Sequence, residues 1–138
     1  MILVREMFCM IKVGGETVLL YNLNNEKGRK IRFLLVRLGM RIRVIEKEDY
    51  GKPLGVLAGM KDVTLENENA PVEDFNDEMM VLYRFSDKRL DALLQGMRKE
   101  GIERVDLKAV LTPTNCRWNS WQLFQEIQEE HRTMTGGK

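Results

Sequence analysis

The feature that most constrains the fold is a similarity between two halves of the chain, which appears when one half is displaced by 62 positions. The displacement aligns Leu20 with Leu82, Tyr21 with Tyr83, Ile31 with Leu93 and Gly39 with Gly101. Each half has the pattern of a strand, a helix and a second strand. We interpret the similarity as an internal repeat, which predicts two copies of one βαβ unit.

The first half begins with TVLLYNL at residues 17–23, an apolar run typical of a buried strand. Asn24 or Asn25 can then cap a helix by accepting hydrogen bonds from its free N–H groups. The apolar positions of this helix recur with a spacing of three and four, at Ile31, Leu34, Leu35 and Leu38. RIRVIEK at residues 41–47 alternates between polar and apolar residues, which predicts a half-exposed strand.

The second half follows the same order, with a buried strand at 79–85 and a half-exposed strand at 105–111. Ser86 is placed to cap the helix between them, and Phe85 and Leu90 can form a hydrophobic staple around that cap. A last helix is expected to begin near Asn119, where Gln122 can complete a capping box. The residues between the halves, 48–77, contain one short predicted helix around 54–59 and are otherwise a loop.

The strand patterns indicate how the two units combine. Alternating strands have one wet face, so we place 41–47 and 105–111 at the edges of the sheet. The more apolar strands, 17–23 and 79–85, take the centre, where the last helix or a second subunit covers their other face. We therefore predict an α+β, ferredoxin-like duplicated βαβ sandwich with an inserted 48–77 loop and an added C-terminal helix. The alternative is an α/β fold with a mostly parallel four-stranded sheet.

The length of 138 residues suits one compact domain, and 43% hydrophobic with 31% charged residues is typical of a globular protein. We predict an N-terminal extension at 1–16, a single α+β domain at 17–134 and a disordered tail at 135–138. No apolar run approaches the ~20 residues that span a bilayer, and the N-terminus does not read as a signal peptide. A cytoplasmic protein without membrane contact is expected. Cys9 and Cys116 form no CxxC motif, so no metal site and no cofactor are predicted.

Two motifs carry a resemblance to a known family, EDYGKPLGVLAG at 48–59 and LKAVLTPTN at 107–115. Together with the segment DEMMVLYRFSDKRLDALLQGMRKEGI, they resemble an uncharacterised bacterial family of small proteins that is grouped under a domain of unknown function. The resemblance runs from about residue 18 to residue 131. It implies one domain in a bacterial cytoplasm, and it implies no activity, cofactor or catalytic residue.

The same two motifs supply the candidate binding site. We predict ligand contacts from one loop at 48–61 and from a second at 112–118, which combines polar side chains with an aromatic wall. The candidate residues are Asp49, Tyr50, Lys52, Thr112, Thr114, Asn115 and Trp118. The alternative reading is structural, with Pro113 ending the strand, Tyr50 and Leu54 fixing the first loop and the tryptophans anchoring the last helix.

An uneven charge distribution raises a second possibility, nucleic-acid binding. Residues 25–47 contain eight Lys or Arg against two Glu, although the whole chain has a net charge of +1. The residues concerned are Lys27, Arg29, Lys30, Arg32, Arg41 and Arg43. The aromatic signature of RNA-binding sheets is missing, which disfavours this alternative.

An enzyme is the third reading, and it would use Asp49, Lys52 or Cys116. The only histidine, His131, lies about 18 Å from the start of the last helix at the rise of an α-helix, too far to serve Cys116 as a base. We therefore predict a non-enzymatic binding or regulatory module that engages a small ligand or a protein partner through loops 48–61 and 112–118. A homodimer is also expected, because Phe33 and Val36 extend the apolar surface of the first helix.

Overall fold

The computed structural model describes residues 16–60 and 71–136. The elements are β1 (Thr17–Tyr21), α1 (Glu26–Leu38), β2 (Arg41–Ile45), α2 (Leu54–Ala58), β3 (Met79–Tyr83), α3 (Asp87–Lys99), β4 (Leu107–Val110) and α4 (Ser120–Gly136). Two single 3₁₀ turns, Lys47–Asp49 and Asn115–Arg117, precede α2 and α4. The predicted mixture of helices and a four-stranded sheet is confirmed.

The four strands form one mixed sheet in the order β2-β1-β3-β4. The prediction that the apolar strands are central and the alternating strands are at the edges is therefore confirmed. Because the sheet is mixed, it is compatible with both fold classes that the sequence left open, α+β and α/β. β1 pairs with β2 and β3 pairs with β4 in parallel, as in an α/β sheet, whereas the central β1–β3 pair is antiparallel. The strands of each unit are neighbours and are not interleaved as in a ferredoxin-like sheet.

The helices of the two units begin and end as the sequence predicts. The Asn25 side chain accepts a hydrogen bond from the Gly28 N–H, and the Ser86 side chain accepts one from the Arg89 N–H. Both helices have 13 residues. Each is followed by a glycine in the left-handed region, Gly39 at φ 75° and Gly101 at φ 70°, a conformation that has little cost only for glycine.

α1 and α3 cover one face of the sheet. Between the sheet and these helices lies a core that we call the helix-pair core. Its buried members are Val18, Leu20, Leu23, Ile31, Leu34, Leu35, Met40, Met80, Leu82, Leu93, Met97, Ile102 and Val105. Phe85 and Leu90 pack against it from the start of α3, as the predicted hydrophobic staple requires.

The opposite face of the sheet is covered by α2, by Phe75 and by α4, so the domain has three layers. The core on this side, which we call the aromatic core, contains Leu19, Tyr21, Ile45, Tyr50, Leu54, Leu57, Ala58, Phe75, Met79, Val81, Leu107, Leu111, Cys116, Leu123 and Phe124. The prediction that the last helix covers the second face is confirmed, and the insertion shares this role. The capping box is also present, with Asn119 and Gln122 each accepting the other's N–H.

One residue of an edge strand departs from the predicted alternation. Val44 lies on the same face of β2 as Ile42, which packs on the helix-pair core, but the Val44 side chain is 52% exposed. Val110 of β4 shares the face of Lys108, which the alternation predicts to be exposed, and its side chain is 44% exposed. β2 is therefore covered only along part of its length.

Two ion pairs link each unit to the other. Glu16, directly before β1, accepts hydrogen bonds from Arg89 in the first turn of α3. Glu78, directly before β3, accepts one from Lys27 in the first turn of α1 at 2.6 Å. The two contacts occupy equivalent positions, and they fix the start of each central strand to the helix of the other unit.

Only part of the predicted division into extension, domain and tail falls within the described residues. Of the N-terminal extension, residues 1–15 lie outside the described residues. α4 extends through residue 136 and so includes two residues of the predicted tail, while residues 137–138 lie outside. None of the helices in the described ranges is long and apolar enough to cross a membrane.

Candidate functional site

The two loops predicted to form a site are neighbours in the structure. The Leu54 N–H donates to the Trp118 carbonyl at 2.8 Å, and the Ser120 N–H donates to the Tyr50 carbonyl at 3.0 Å. α2 packs against the 3₁₀ turn at 115–117. The two loops, the first described through residue 60, therefore form one continuous surface over the aromatic core, joined by residues more than 60 positions apart in the chain.

Within the second loop, Thr112 and Asn115 bond to each other. The Asn115 Oδ1 accepts from the Thr112 N–H at 2.8 Å, and the Thr112 Oγ1 accepts from the Asn115 N–H at 3.1 Å. The Asn115 Nδ2 also donates to the Val110 carbonyl at 3.2 Å. These polar groups hold the turn after β4, while Thr114 beside them is exposed.

In the first loop, Asp49 and Lys52 form an ion pair with 2.8 Å between Oδ1 and Nζ. Their side chains are 30% and 47% exposed, so this is a surface pair of small energetic value. Trp118 of the second loop is half-buried. It packs on the aromatic core and lines an open groove together with Gln122 and Glu126 of α4.

Tyr50 is a core residue. Its ring lies 4.6 Å from that of Phe75 and 5.5 Å from that of Tyr21, and its side chain is 1% exposed. The contacts between aromatic rings continue from Phe75 to Phe124, whose stacked rings have centroids 4.1 Å apart. The structural reading of Tyr50, that it fixes the loop to the core, agrees with this geometry.

The hydroxyl groups of the two buried tyrosines differ. The Tyr21 hydroxyl lies 2.7 Å from the Ser120 Oγ, whereas the Tyr50 hydroxyl has no hydrogen-bond partner within the described part of the chain. Burial raises the pKa of both hydroxyls. Both tyrosines are therefore neutral at ordinary pH, and neither is prepared to act as a base.

Cys116 lies under the second loop and is buried in the aromatic core. Its Sγ donates to the Pro113 carbonyl at 3.4 Å. The Asp49–Lys52 pair lies at the surface, so the three residues of the enzyme reading occupy different environments. Within residues 16–60 and 71–136, no group of three or more His, Cys, Asp or Glu side chains could hold a metal ion.

The six residues of the nucleic-acid reading fall on two faces. Lys27, Arg29, Lys30 and Arg32 belong to α1, on one side of the sheet. Arg41 and Arg43 alternate with Ile42, which packs towards α1 and α3, so they lie on the other side.

Several of these basic side chains already have partners. Lys27 donates to Glu78 and to the Arg104 carbonyl, and Arg29 pairs with Glu26. Arg32 donates to the Leu23 carbonyl at 3.3 Å. These contacts hold parts of the fold together, which leaves fewer side chains free for phosphate groups.

The sequence analysis missed a pocket between α3 and β4. It has a volume of about 370 Å³ and is lined by Leu94, Met97, Arg98, Ile102, Arg104, Val105 and Lys108. The lengths of the connections between helix and strand contained a signal for this pocket. Two residues, 39–40, separate α1 from β2, whereas seven, 100–106, separate α3 from β4. The longer connection supplies one wall of the pocket.

Residues 78–134 match the family model described as Domain of unknown function (DUF3783). This part of the chain fits an uncharacterised domain family. The prediction of a domain of unknown function is thereby confirmed for the region from β3 to the last turns of α4, which contains the pocket. EDYGKPLGVLAG lies outside the matched residues. Comparison with curated proteins and with solved structures gave no match in either case.

Proposed function

We propose that this domain is a non-enzymatic binding or regulatory module that engages a small ligand or a protein partner through loops 48–61 and 112–118. The observation that carries the proposal is the joining of the two loops by backbone hydrogen bonds at Leu54 and Ser120. A surface assembled from distant segments and supported by a packed core is the usual setting for recognition residues.

The state of the polar groups supports binding over chemistry. Asp49 and Lys52 neutralise each other at the surface, and the Cys116 thiol is buried and hydrogen-bonded to a carbonyl. A nucleophile needs exposure and a neighbouring base, and these groups have a different arrangement. Lys52, Thr114 and Arg117 are exposed on the joined loops, where a partner can reach them.

The experiment is thermal denaturation of the protein with a library of metabolites, nucleotides and short oligonucleotides. A ligand at a hundred times its Kd adds about 2.7 kcal/mol to the free energy of unfolding, which raises the Tm measurably. The loop variant is the double substitution Lys52→Ala and Thr114→Ala, which removes exposed contacts. Lys88→Ala is the control, because Lys88 is also exposed but lies on α3.

We expect at least one compound to raise the Tm of the wild type and of the control, with little or no rise in the loop variant. A rise that persists in the loop variant would place the ligand elsewhere. No rise with any compound would contradict the small-ligand form of the proposal. Asn115 and Trp118 are unsuitable probes here, because both help to hold the fold.

We also propose that the chain forms a homodimer through the outer face of α1. Phe33 and Val36 are 64% and 65% exposed there, which is unusual for two neighbouring large apolar side chains. A two-fold pair of α1 helices would place the two apolar patches against each other and bury them. We further infer that the two βαβ units are an internal repeat. The bacterial origin and the cytoplasmic location stay predictions.

A further inference from the structure

The pocket between α3 and β4 has a chemical character of its own. We call its apolar residues the floor, namely Leu94, Met97, Ile102 and Val105, and its basic residues the rim, namely Arg98, Arg104 and Lys108. Among residues 16–60 and 71–136, no acidic residue lines the pocket. Its volume of about 370 Å³ lies within the range of small-molecule sites, roughly 300–1,000 Å³.

The pocket lies on the opposite side of the sheet from the joined loops. Met97, Ile102 and Val105 of the floor belong to the helix-pair core. Lys108 alternates along β4 with Leu107 and Ala109, which pack on the aromatic core, so its side chain is on the α3 side. A ligand here would therefore occupy a site separate from the one in the proposed function.

The rim residues keep donors for a ligand. The Lys108 Nζ donates to the Val105 carbonyl at 2.5 Å, which uses one of its three donors. The Arg104 Nε pairs with Asp106 at 3.2 Å, with the Arg104 side chain 73% exposed, so the rest of its guanidinium remains available. Glu103 and Asp106 belong to the neighbouring surface, and neither of them lines the pocket.

The surroundings of Lys108 disfavour its charged form, and a bound anion would favour it. Burial lowers the pKa of Lys108, and the positive charges of Arg104 and Lys27 act in the same direction, with only Asp106 opposing them. A negative group bound at the rim would favour the charged ammonium and reduce the repulsion between the basic side chains. The half-buried position makes such a contact stronger than one at an open surface.

We propose that this pocket binds a small organic anion. Its apolar part packs on the floor, and its carboxylate or phosphate group accepts hydrogen bonds from the rim. Charged hydrogen bonds at the mouth fix the orientation, while the floor provides the apolar contact that a bare inorganic ion cannot use. The site arises from the seven-residue connection, because Ile102, Arg104 and Val105 all belong to it.

The test is an NMR titration that follows the backbone amide resonances of the full chain. The probes are hexanoate and phenyl phosphate, with hexylamine as the charge-reversed control and inorganic phosphate as the head group alone. We expect both organic anions to cause saturable shifts at residues 102–108. Hexylamine should cause none, and inorganic phosphate should bind more weakly than phenyl phosphate.

Three variants locate the binding. Arg104→Gln and Lys108→Met remove one rim charge each and should raise the Kd by about tenfold or more, since each removes a charge-assisted hydrogen bond. Leu94→Trp fills the pocket without removing a charge and should abolish binding. Lys88→Met, at an exposed site in the first turn of α3, should leave the Kd unchanged.

Because Arg104 is largely exposed, its variant keeps the fold even if Lys108→Met does not. The proposal is overturned if neither organic anion causes saturable shifts at 102–108. It is also overturned if inorganic phosphate binds as tightly as phenyl phosphate, or if both Arg104→Gln and Leu94→Trp leave the Kd unchanged.

Discussion

The two βαβ units have the same framework and use different surfaces. Both have a buried central strand and a helix of 13 residues. Both also have two residues with left-handed backbone conformation, at equivalent positions. These residues are Asn22 and Arg84 after the central strands, and Gly39 and Gly101 after the helices. The parts that agree are those that set the path of the backbone.

The units differ where the framework leaves freedom. On the outer face of α1 the first unit has Phe33 and Val36, and with the displacement of 62 positions the second unit has Gln95 and Arg98 there. The second unit instead has the longer connection and the pocket beside β4. An apolar helix face suits contact with a macromolecule, and a pocket suits a small ligand, so the comparison suggests two surfaces with separate roles.

The largest expected effect concerns a close approach that occurs only in the first unit. A Cβ added to Gly28 would lie 1.6 Å from the Leu23 carbonyl oxygen. Backbone atoms cannot move aside easily, so we expect Gly28→Ala to lower the free energy of unfolding by about 3 kcal/mol or more, at the upper end for overpacking. Urea denaturation measures the change.

The matched control is Gly96→Ala in α3. A Cβ there would lie 2.9 Å from one terminal methyl of Leu34 and 3.2 Å from the other, which are side-chain ends rather than backbone atoms. The gain in helix propensity of about 1 kcal/mol opposes the crowding, so the net change should be small. A Gly28→Ala variant as stable as the wild type would contradict the close packing of Leu23 against the start of α1.

The two equivalent ion pairs provide the next comparison. Arg89 donates to both carboxylate oxygens of Glu16, at 2.9 and 3.1 Å, and also to the Leu38 carbonyl. We expect Glu16→Gln to lower the free energy of unfolding at neutral pH by about 1.5–3 kcal/mol, the range for hydrogen bonds to charged groups. Glu78→Gln is the control and should cost less, because the Glu78 side chain is 30% exposed and that of Glu16 is 11% exposed.

The pH dependence separates charge from packing. Burial alone would raise the pKa of Glu16, but the hydrogen bonds and charge of Arg89 more than offset this, so the pKa lies below the ordinary value of 4.5. The stabilisation is therefore fully present above 4.5 and is lost as the pH falls through the lowered pKa. The difference between wild type and Glu16→Gln should shrink over that window in urea denaturation. A difference that does not change with pH would mean that the carboxylate charge contributes nothing.

Local features of this fold could be predicted from the sequence because they depend on neighbouring residues. Asn25 and Ser86 cap their helices through atoms three residues away, and the apolar spacing identifies the buried face of each helix. The central and edge strands were also predictable, since burial on one or two faces leaves a direct mark on the residue pattern.

The strand order could not be predicted, because an interleaved and an adjacent arrangement place the same strands at the centre and at the edges.

The contacts within the candidate site could not be predicted either. The sequence indicates that Thr112 and Asn115 are polar, but it does not indicate that their partners are the N–H groups of their own turn. The pocket depends on how the 100–106 connection packs against α3 and β4, which no single segment records.

The smallest effect on stability, and the sharpest test of the difference between the units, comes from the outer face of α1. The double substitution Phe33→Gln and Val36→Arg gives the first unit the type of surface that the second unit has. Both side chains are mostly exposed, so each change should alter the free energy of unfolding by no more than about 0.5 kcal/mol. Light scattering coupled to size-exclusion chromatography should show a dimer for the wild type and a monomer for this variant, with Gln95→Ala on α3 remaining dimeric. If the wild type is a monomer, or if the variant stays dimeric, α1 is not the dimer interface, and its exposed apolar face must have another purpose.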